Sequence, residues 1–511
     1  MQIVDNKALL MRLRNPKQVT EIVPKSKELP NNQVVVNWGM DEVHYLRNLN
    51  IKAPSPIEGK YEWTGKYQPF KHQKTTASFL TLNKRAFCFN EQGTGKTAST
   101  IWAADFLMKQ GKVKRALIIC PLSIMDSAWK ADLFTFAMHR RVDIAYGNAK
   151  KRKEIINMGA EFVVINYDGI GIVYDEIANG GFDLIVVDEA THYKNTQTKR
   201  WKILNSLLKP ETWLWMLTGT PAAQSPLDAY GIAKLVNPTA VPRYMGSFRD
   251  QVMHKITQFK WVPKPNATEV VYNALQPAIR FTKDECLDLP EMTYVKRDVP
   301  LTPQQKKYYK DLEKQMMVMA AGESITAANA AIVMNKLLQI SCGAVYSDNS
   351  DTIQFDISNR YAVLKEAIDE SSQKVLVFVP FRNTITLLRE KLTADGITTD
   401  VISGSVPAHK RADIFKQFQE TPDPRVLIIQ PQSAAHGVTL TAANTVVWWG
   451  PTSSLETYAQ ANARVHRSGQ RHPSTVIQLQ GSDVEKRIYS LLDNRIDVHT
   501  KMIDLYNEIV D

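Results

Sequence analysis

Along most of the chain, short unbroken apolar runs alternate with longer stretches whose apolar positions recur every three or four residues. Apolar runs without polar alternation are strands buried on both faces, and helix-length segments between them are the crossovers of parallel sheets. A first series comprises RAFCFN (85–90), RALIIC (115–120), EFVVIN (161–166), DLIVVDE (183–189) and WLWMLTG (213–219). A second comprises KVLVFVP (374–380), TTDVIS (398–403), RVLIIQ (425–430), NTVVWWG (444–450) and STVIQL (474–479). Two series predict two α/β domains in tandem, with ligands at the C-terminal ends of the strands. Trp448 and Trp449 read as packing within a strand.

Between the series, residues 237–300 carry scattered prolines and read as an irregular connection, and 303–340 as a helical pair broken near Gly322. The first 60 or so residues stand apart, with strand-like runs TEIV and QVVVNW, a helix-like run MDEVHYLRNL and a Pro/Gly linker. The expected division is an accessory domain at 1–62, a nucleotide-binding lobe at 63–295, a helical insertion at 296–355 and a second lobe with C-terminal helices at 356–511.

Composition narrows the class. With 511 residues, 44% of them hydrophobic and 23% charged, the chain has material for several soluble cores. It has no apolar run near the roughly 20 residues that cross a bilayer, and its first residues lack the pattern of a secretory signal. A cytoplasmic protein is expected, in a bacterium or a virus-infected host cell, with no membrane partner. Four scattered cysteines support neither a disulfide framework nor a zinc site. A formal net charge of +11 attracts polyanions, of which nucleic acid is the commonest inside cells.

The chemistry gathers first at EQGTGKT, which follows the strand RAFCFN and precedes a helix-like run, the context a phosphate-binding loop requires. Gly93 and Gly95 let the backbone curl so that amides, including those of Gln92 and Thr94, point at phosphate. Lys96 supplies a charge at the β/γ-phosphates and Thr97 a hydroxyl to Mg2+. Asn90 stands where the usual pattern begins with glycine. DLIVVDEA then places Asp188 and Glu189 at the end of an apolar strand: Asp188 to hold Mg2+, Glu189 to orient and deprotonate water. In the second series, QANARVHRSGQ (460–470) carries Arg464 and Arg467 three apart, on one face if helical. They read either as a solvated basic face or as arginine fingers acting on the γ-phosphate when two lobes close.

From about residue 67 to 495 these motifs resemble the SWI/SNF-type remodelling ATPases of superfamily 2 in order and spacing. KHQ (71–73) is similar to the adenine-reading Q element, with Gln73 the implied base contact. NEQGTGKT resembles the family's D-E-x-G-x-G-K-T, so the family itself lacks glycine at the position of Asn90. ICPLSIMDSAW, VINYDGI, LTGTP and RFTKDECLDLP match further blocks. DEATHYKN resembles D-E-A-H-R-x-K-N with Thr191 in place of His. QANARVHRSGQ resembles Q-A-x-D-R-x-H-R-x-G-Q, with Gln460, Arg464 and Arg467 kept and Ala463 in place of Asp. SAAHGVTLTAANTVV, which includes Gly437, is closer to the annealing-helicase branch, and the short insertions suggest a compact bacterial or phage form.

The resemblance implies two tandem RecA-like lobes in an α/β fold and a nucleic-acid-stimulated ATPase that uses ATP and Mg2+. Its implied track is DNA, duplex, forked or branched, ahead of RNA, and it would act as a monomer. Track contacts are implied at Pro121, Ser123, Asn166, Tyr167, Phe381, Arg382, Ser403, Gly404 and Ser433, where small residues and backbone amides suit sequence-independent phosphate contact. The basic run KKRKE (150–154) reads as a solvated helix face. A strand-separating superfamily 2 helicase and a non-hydrolysing scaffold are the competing readings.

Overall fold

All five runs of the first series form strands: Arg85–Cys88, Ala116–Cys120, Phe162–Asn166, Leu184–Asp188 and Trp213–Leu217. In the computed structural model, which describes residues 1–65, 67–219, 221, 225–257, 261–286, 290–322, 327–346, 352–433, 438–467 and 469–494, two further short strands, Val142–Ile144 and Ala278–Ile279, complete a seven-stranded sheet. Its order is 278–279, 85–88, 213–217, 184–188, 116–120, 162–166, 142–144, and every pairing is parallel. Successive strand residues feed opposite faces, so Leu117, Val163 and Leu214 join one core while Ile118, Val164 and Trp215 join another. The register sets Leu217 opposite both Cys88 and Asp188, and Cys120 opposite Asn166. The ends of adjacent strands that carry the expected motifs are thereby level with one another.

The second series forms Lys374–Phe378, Thr399–Ile402, Val426–Ile429, Ala443–Trp448 and Ser474–Gln480. A sixth strand, Met292–Asp298, lies beside Ser474–Gln480, and the parallel order is 292–298, 474–480, 443–448, 374–378, 426–429, 399–402. Because Met292–Asp298 pairs here, the chain divides into Met1–Cys286 and Leu287–Asp511, not at 295/296. Helices Pro303–Gly322 and Ala327–Cys342 supply the helical pair. Trp448 and Trp449 are fully buried and point to opposite faces of the sheet. The Arg360 guanidinium and Glu485 carboxylate are buried against each other at 2.8 Å, and Glu485 also accepts the Gly481 and Ser482 N–H groups.

The first residues form a four-stranded antiparallel sheet in the order Gln2–Val4, Ala8–Arg12, Gln33–Asn37, Ser26–Leu29, with helix Met40–Asn48. TEIV is not a strand: helix Lys17–Thr20 runs into a turn there, and Val19 and Val23, four apart, are both buried with Leu9, Val34 and Trp38. KKRKE lies on helix Ala149–Asn157 with its lysines exposed, but Arg152 turns inward to the carbonyls of Ala145 and Gly147 and is buried. All four cysteines are free, and among the described residues no helix is long and apolar enough to cross a membrane.

Candidate functional site

The strand Arg85–Cys88 leads through the loop to helix Lys96–Lys109. Gly93 and Gly95 adopt φ of 87° and 81°, the left-handed region that glycine occupies without a Cβ clash. Gly95 is constrained a second time, because a Cβ there would strike the Gln73 carboxamide. Gln73 lies on helix Lys71–Leu82, accepts from the Phe70 N–H at 3.0 Å and donates to the Thr94 carbonyl at 3.2 Å. The His72 ring donates to the same carbonyl at 2.8 Å. The Thr94 hydroxyl donates to Glu91 O at 2.7 Å, and the Lys96 ammonium donates to the carbonyls of Asn90 and Glu91 at 2.8 and 3.3 Å. Gln92 Oε1 is buried with no hydrogen-bond partner among the described residues.

Asn90 has a structural duty that its position in the motif does not announce. Fully buried, it donates to the Thr76 hydroxyl at 2.8 Å and accepts the Phe281 N–H at 3.0 Å. The Glu91 carboxylate accepts the Lys283 N–H at 3.2 Å and faces Arg280 at 3.4 Å. Phe89 and Glu91 N–H groups reach the carbonyls of Ile279 and Phe281. The block beginning at Arg280 therefore braces the base of the loop.

Asp188 closes the strand two places away in the sheet. Its Oδ2 accepts the Trp129 indole N–H at 2.9 Å, its Oδ1 accepts the Glu189 N–H at 3.0 Å, and its carbonyl accepts the Tyr167 hydroxyl at 2.7 Å. Burial pushes the Asp188 carboxyl above the usual range, while the Trp129 hydrogen bond and the Lys96 charge pull it back. Glu189 sits at φ 49°, ψ 61°, a left-handed conformation uncommon for a residue with a side chain and one that clusters at functional sites. Trp129 comes from a π-helical turn, Met125–Lys130, another geometry found mostly at functional sites. Thr191 lies in the turn Ala190–Tyr193, and the His192 ring packs 4.6 Å from that of Tyr167. Thr218 N–H donates to Cys88 O at 3.1 Å, and a Cβ at Gly219 would lie 3.5 Å from the Gln92 side chain, so LTG adjoins the phosphate loop. Thr97 is the second residue of the loop's helix. A carboxylate and a hydroxyl are oxygen donors of the kind Mg2+ takes.

In the second unit, helix Leu455–Asn462 stops before the arginines, so Arg464 and Arg467 occupy a turn, not one face of a helix. The Arg464 carbonyl accepts Leu440 N–H at 3.0 Å and the His466 ring donates to Pro290 O at 2.9 Å. Arg464 is buried, Arg467 donates to Val438 O at 3.3 Å, and Gln460 donates to Glu456 at 3.0 Å. The Gln470 carboxamide donates to Ala443 O at 2.8 Å and accepts from the N–H groups of Arg471 and His472. Gly437 lies outside the described residues.

Of the expected track residues, Pro121 and the turn Leu122–Ile124 follow one strand of the first sheet and Asn166 ends its neighbour. Tyr167 is buried, with its hydroxyl engaged at Asp188, so it does not face outward as a contact would. Asn166 Oδ1 accepts from Arg152 at 3.0 Å. In the second unit Phe381 packs against both cores instead of standing free, while Arg382 is exposed. Ser403 shares a hydrogen with Ser405 at 2.8 Å, and Gly404 N–H donates to Gln430 Oε1 at 3.2 Å. Ser433 N–H donates to Gln430 O at 2.8 Å. A Cβ on Gly404 would come within 3.0 Å of the Arg382 guanidinium, and Arg411 donates to Gly404 O at 3.4 Å. Arg382 and Arg411 thus both approach Gly404, whose N–H is held by Gln430. The sequence reading missed Gln430 and Arg411, as it missed Trp129, although Gln430 ends the run RVLIIQ at the strand's C-terminus.

Comparison with known proteins gives a match to the SNF2-related domain over residues 72–343 and to the helicase conserved C-terminal domain over residues 359–469. An uncharacterised ATP-dependent helicase of Mycoplasma genitalium is 26% identical over 433 residues, 81% of this chain and 40% of that protein. The chromodomain-helicase-DNA-binding protein 1-like of Danio rerio is 24% identical, over 81% of this chain and 41% of that protein. A putative protein of Acyrthosiphon pisum secondary endosymbiont phage 1 is 25% identical, over 78% of this chain and 88% of its own length. The chain therefore spans about two fifths of the length of the first two relatives. Among solved structures, the Sulfolobus solfataricus SWI2/SNF2 ATPase core in complex with dsDNA is 22% identical, with a TM-score of 0.43, over 85% of this chain and 92% of that one.

Proposed function

The chain belongs to the SNF2-related family, and from that premise we propose that it is an ATP-driven translocase on double-stranded DNA. Its work would be to remodel forked or branched DNA, or to displace bound proteins, in replication, recombination or repair inside a bacterial or virus-infected cell. One observation carries the reading: Cys88, Leu217 and Asp188 are level on three adjacent strands, so the phosphate loop, LTG and the Asp188–Glu189 pair share one sheet edge. The segments that the family resemblance implies for a sequence-independent track, at Pro121–Ile124 and Asn166, follow neighbouring strands of the same sheet, which supports the reading.

The residues fit Mg-ATP. Gly93–Thr97 would cradle the phosphates with Lys96 as counter-charge, Thr97 and Asp188 would hold Mg2+, and Gln73 and Gln92 would meet the base and the loop side of the nucleotide. The metal would neutralise phosphate charge and act as Lewis acid. Glu189 would orient the attacking water and take its proton. Arg464 and Arg467 would be the arginine fingers that the family resemblance implies, the kind of contribution worth about 10³–10⁵ in rate.

The test is ATPase stimulation across single-stranded, duplex, forked and four-way DNA with RNA as control, run beside triplex-displacement and strand-displacement assays. Duplex stimulation with triplex displacement is expected. Robust unwinding without triplex displacement would replace this reading with a strand-separating helicase, and absence of phosphate release with every nucleic acid would replace it with a scaffold. Lys96→Ala is expected to lower turnover at least about 100-fold while DNA affinity, measured by anisotropy, is kept.

A further inference from the structure

Asp188 is gripped twice, from two different places. Trp129 holds a carboxylate oxygen at 2.9 Å and Tyr167 holds the main-chain carbonyl at 2.7 Å. The two aromatics do not come from the nucleotide motifs. Trp129 belongs to the π-helical turn Met125–Lys130, which continues directly from Pro121 and Leu122–Ile124. Tyr167 opens the turn Tyr167–Gly171 immediately after Asn166. Those two stretches follow paired strands, with Cys120 opposite Asn166, and are the segments assigned above to the track. Tyr167 is also tied to the turn that follows Asp188 and Glu189, since its ring packs against His192 at 4.6 Å and Tyr193 at 5.9 Å.

We infer that Trp129 and Tyr167 are positioning residues that link occupation of the track segments to the placement of Asp188. This rests on the translocase reading. Hydrogen bonds weaken steeply as they bend or lengthen, so a small shift of either turn alters how the Asp188 oxygens are presented. Partners that orient a metal-holding carboxylate commonly change affinity or activity about 10–100-fold when removed. Two separate grips, one on the side chain and one on the backbone, make the placement depend on both segments together. Linkage then requires reciprocity: DNA must tighten Mg-nucleotide binding by the factor with which Mg-nucleotide tightens DNA.

The experiment measures that factor in the full chain, as the Kd of a fluorescent non-hydrolysable ATP analogue with Mg2+, with and without saturating duplex DNA. In the unmodified protein DNA is expected to tighten binding about ten-fold. Tyr167→Phe keeps the ring and removes only the hydroxyl, and it should bring the factor within about two-fold of unity while DNA affinity without nucleotide changes less than about two-fold. Trp129→Phe should do the same and also raise the Mg2+ concentration for half-maximal analogue binding; if its melting curve shows misfolding, Tyr167→Phe decides. Retention of the full factor in Tyr167→Phe, or a factor of one in the unmodified protein, overturns the inference and leaves the translocase reading standing. Failure of the unmodified protein to bind either ligand sinks both.

Discussion

Replacing Asn90 with glycine would restore the commoner start of a phosphate loop, yet the structure predicts damage. Asn90 is fully buried and its carboxamide is used at both ends, toward the Thr76 hydroxyl and the Phe281 N–H. Glycine would leave the Phe281 N–H without its acceptor, at a cost of about 1–3 kcal/mol. Thr76 would still donate to His72 O at 2.8 Å and loses only the bond it accepts, about 1 kcal/mol or less. Added backbone freedom costs about 0.5–1 kcal/mol more. The sum, about 1.5–5 kcal/mol, corresponds to a fall of about 3–8 °C in the melting temperature of a unit as large as Met1–Cys286. Differential scanning calorimetry of Asn90→Gly checks it. A transition within about 1 °C of the unmodified protein would refute the argument, because the two hydrogen bonds would then contribute nothing.

Arg467→Ala should lower DNA-stimulated turnover at least about ten-fold with ATP affinity little changed, and normal turnover would remove it from the proposed site. Glu485→Ala strands Arg360 in the core and should destabilise by about 3–5 kcal/mol, read as the urea midpoint. Asp105 is a third case. Burial would raise its carboxyl, but hydrogen bonds from Tyr61, Arg140 and His139 hold it below the usual carboxylate range. A depressed carboxylate stabilises the fold above its unfolded pKa, about 4, and that stability is lost as pH falls through the lower folded value. Tyr61→Phe removes one of those hydrogen bonds and should shift acid unfolding to higher pH, monitored by circular dichroism.

The two sheets were legible because strands buried on both faces are apolar nearly throughout, and most of the ten runs mark themselves so; Thr399–Ile402, an edge strand with Asp400 in it, does so least. The strands that escaped lack that signature. Val142–Ile144 is half-buried along its length, Ala278–Ile279 is two residues, and Met292–Asp298 is an edge strand with Lys296, Arg297 and Asp298 in it. TEIV misled because three apolar or β-favouring residues suggest a strand, whereas the spacing of Val19 and Val23 is helical. In the site, glycines, Lys96 and the acidic pair announce themselves by type and spacing. Trp129 and Gln430 do not, since a lone tryptophan, or a glutamine at the end of an apolar run, has no spacing that marks it. Tyr167, expected as a track contact, shows its grip on Asp188 only once tertiary packing places its hydroxyl. The turn at Arg464 was hidden too, since it hydrogen-bonds with Leu440 and Pro290, distant in sequence.

The bracing of Asn90 and Glu91 by residues 279–283 bears on how the protein can be cut into parts. A fragment ending near residue 240, after the last long strand, would contain every recognisable nucleotide motif of the first unit. It would nonetheless lack an outermost strand of the sheet and the groups of residues 279–283 that brace Asn90 and Glu91, leaving Thr76, Thr94 and Lys96 to hold the entrance to the glycine loop. A piece that keeps the brace must run at least to Lys283, and the first unit ends just beyond it, at Cys286.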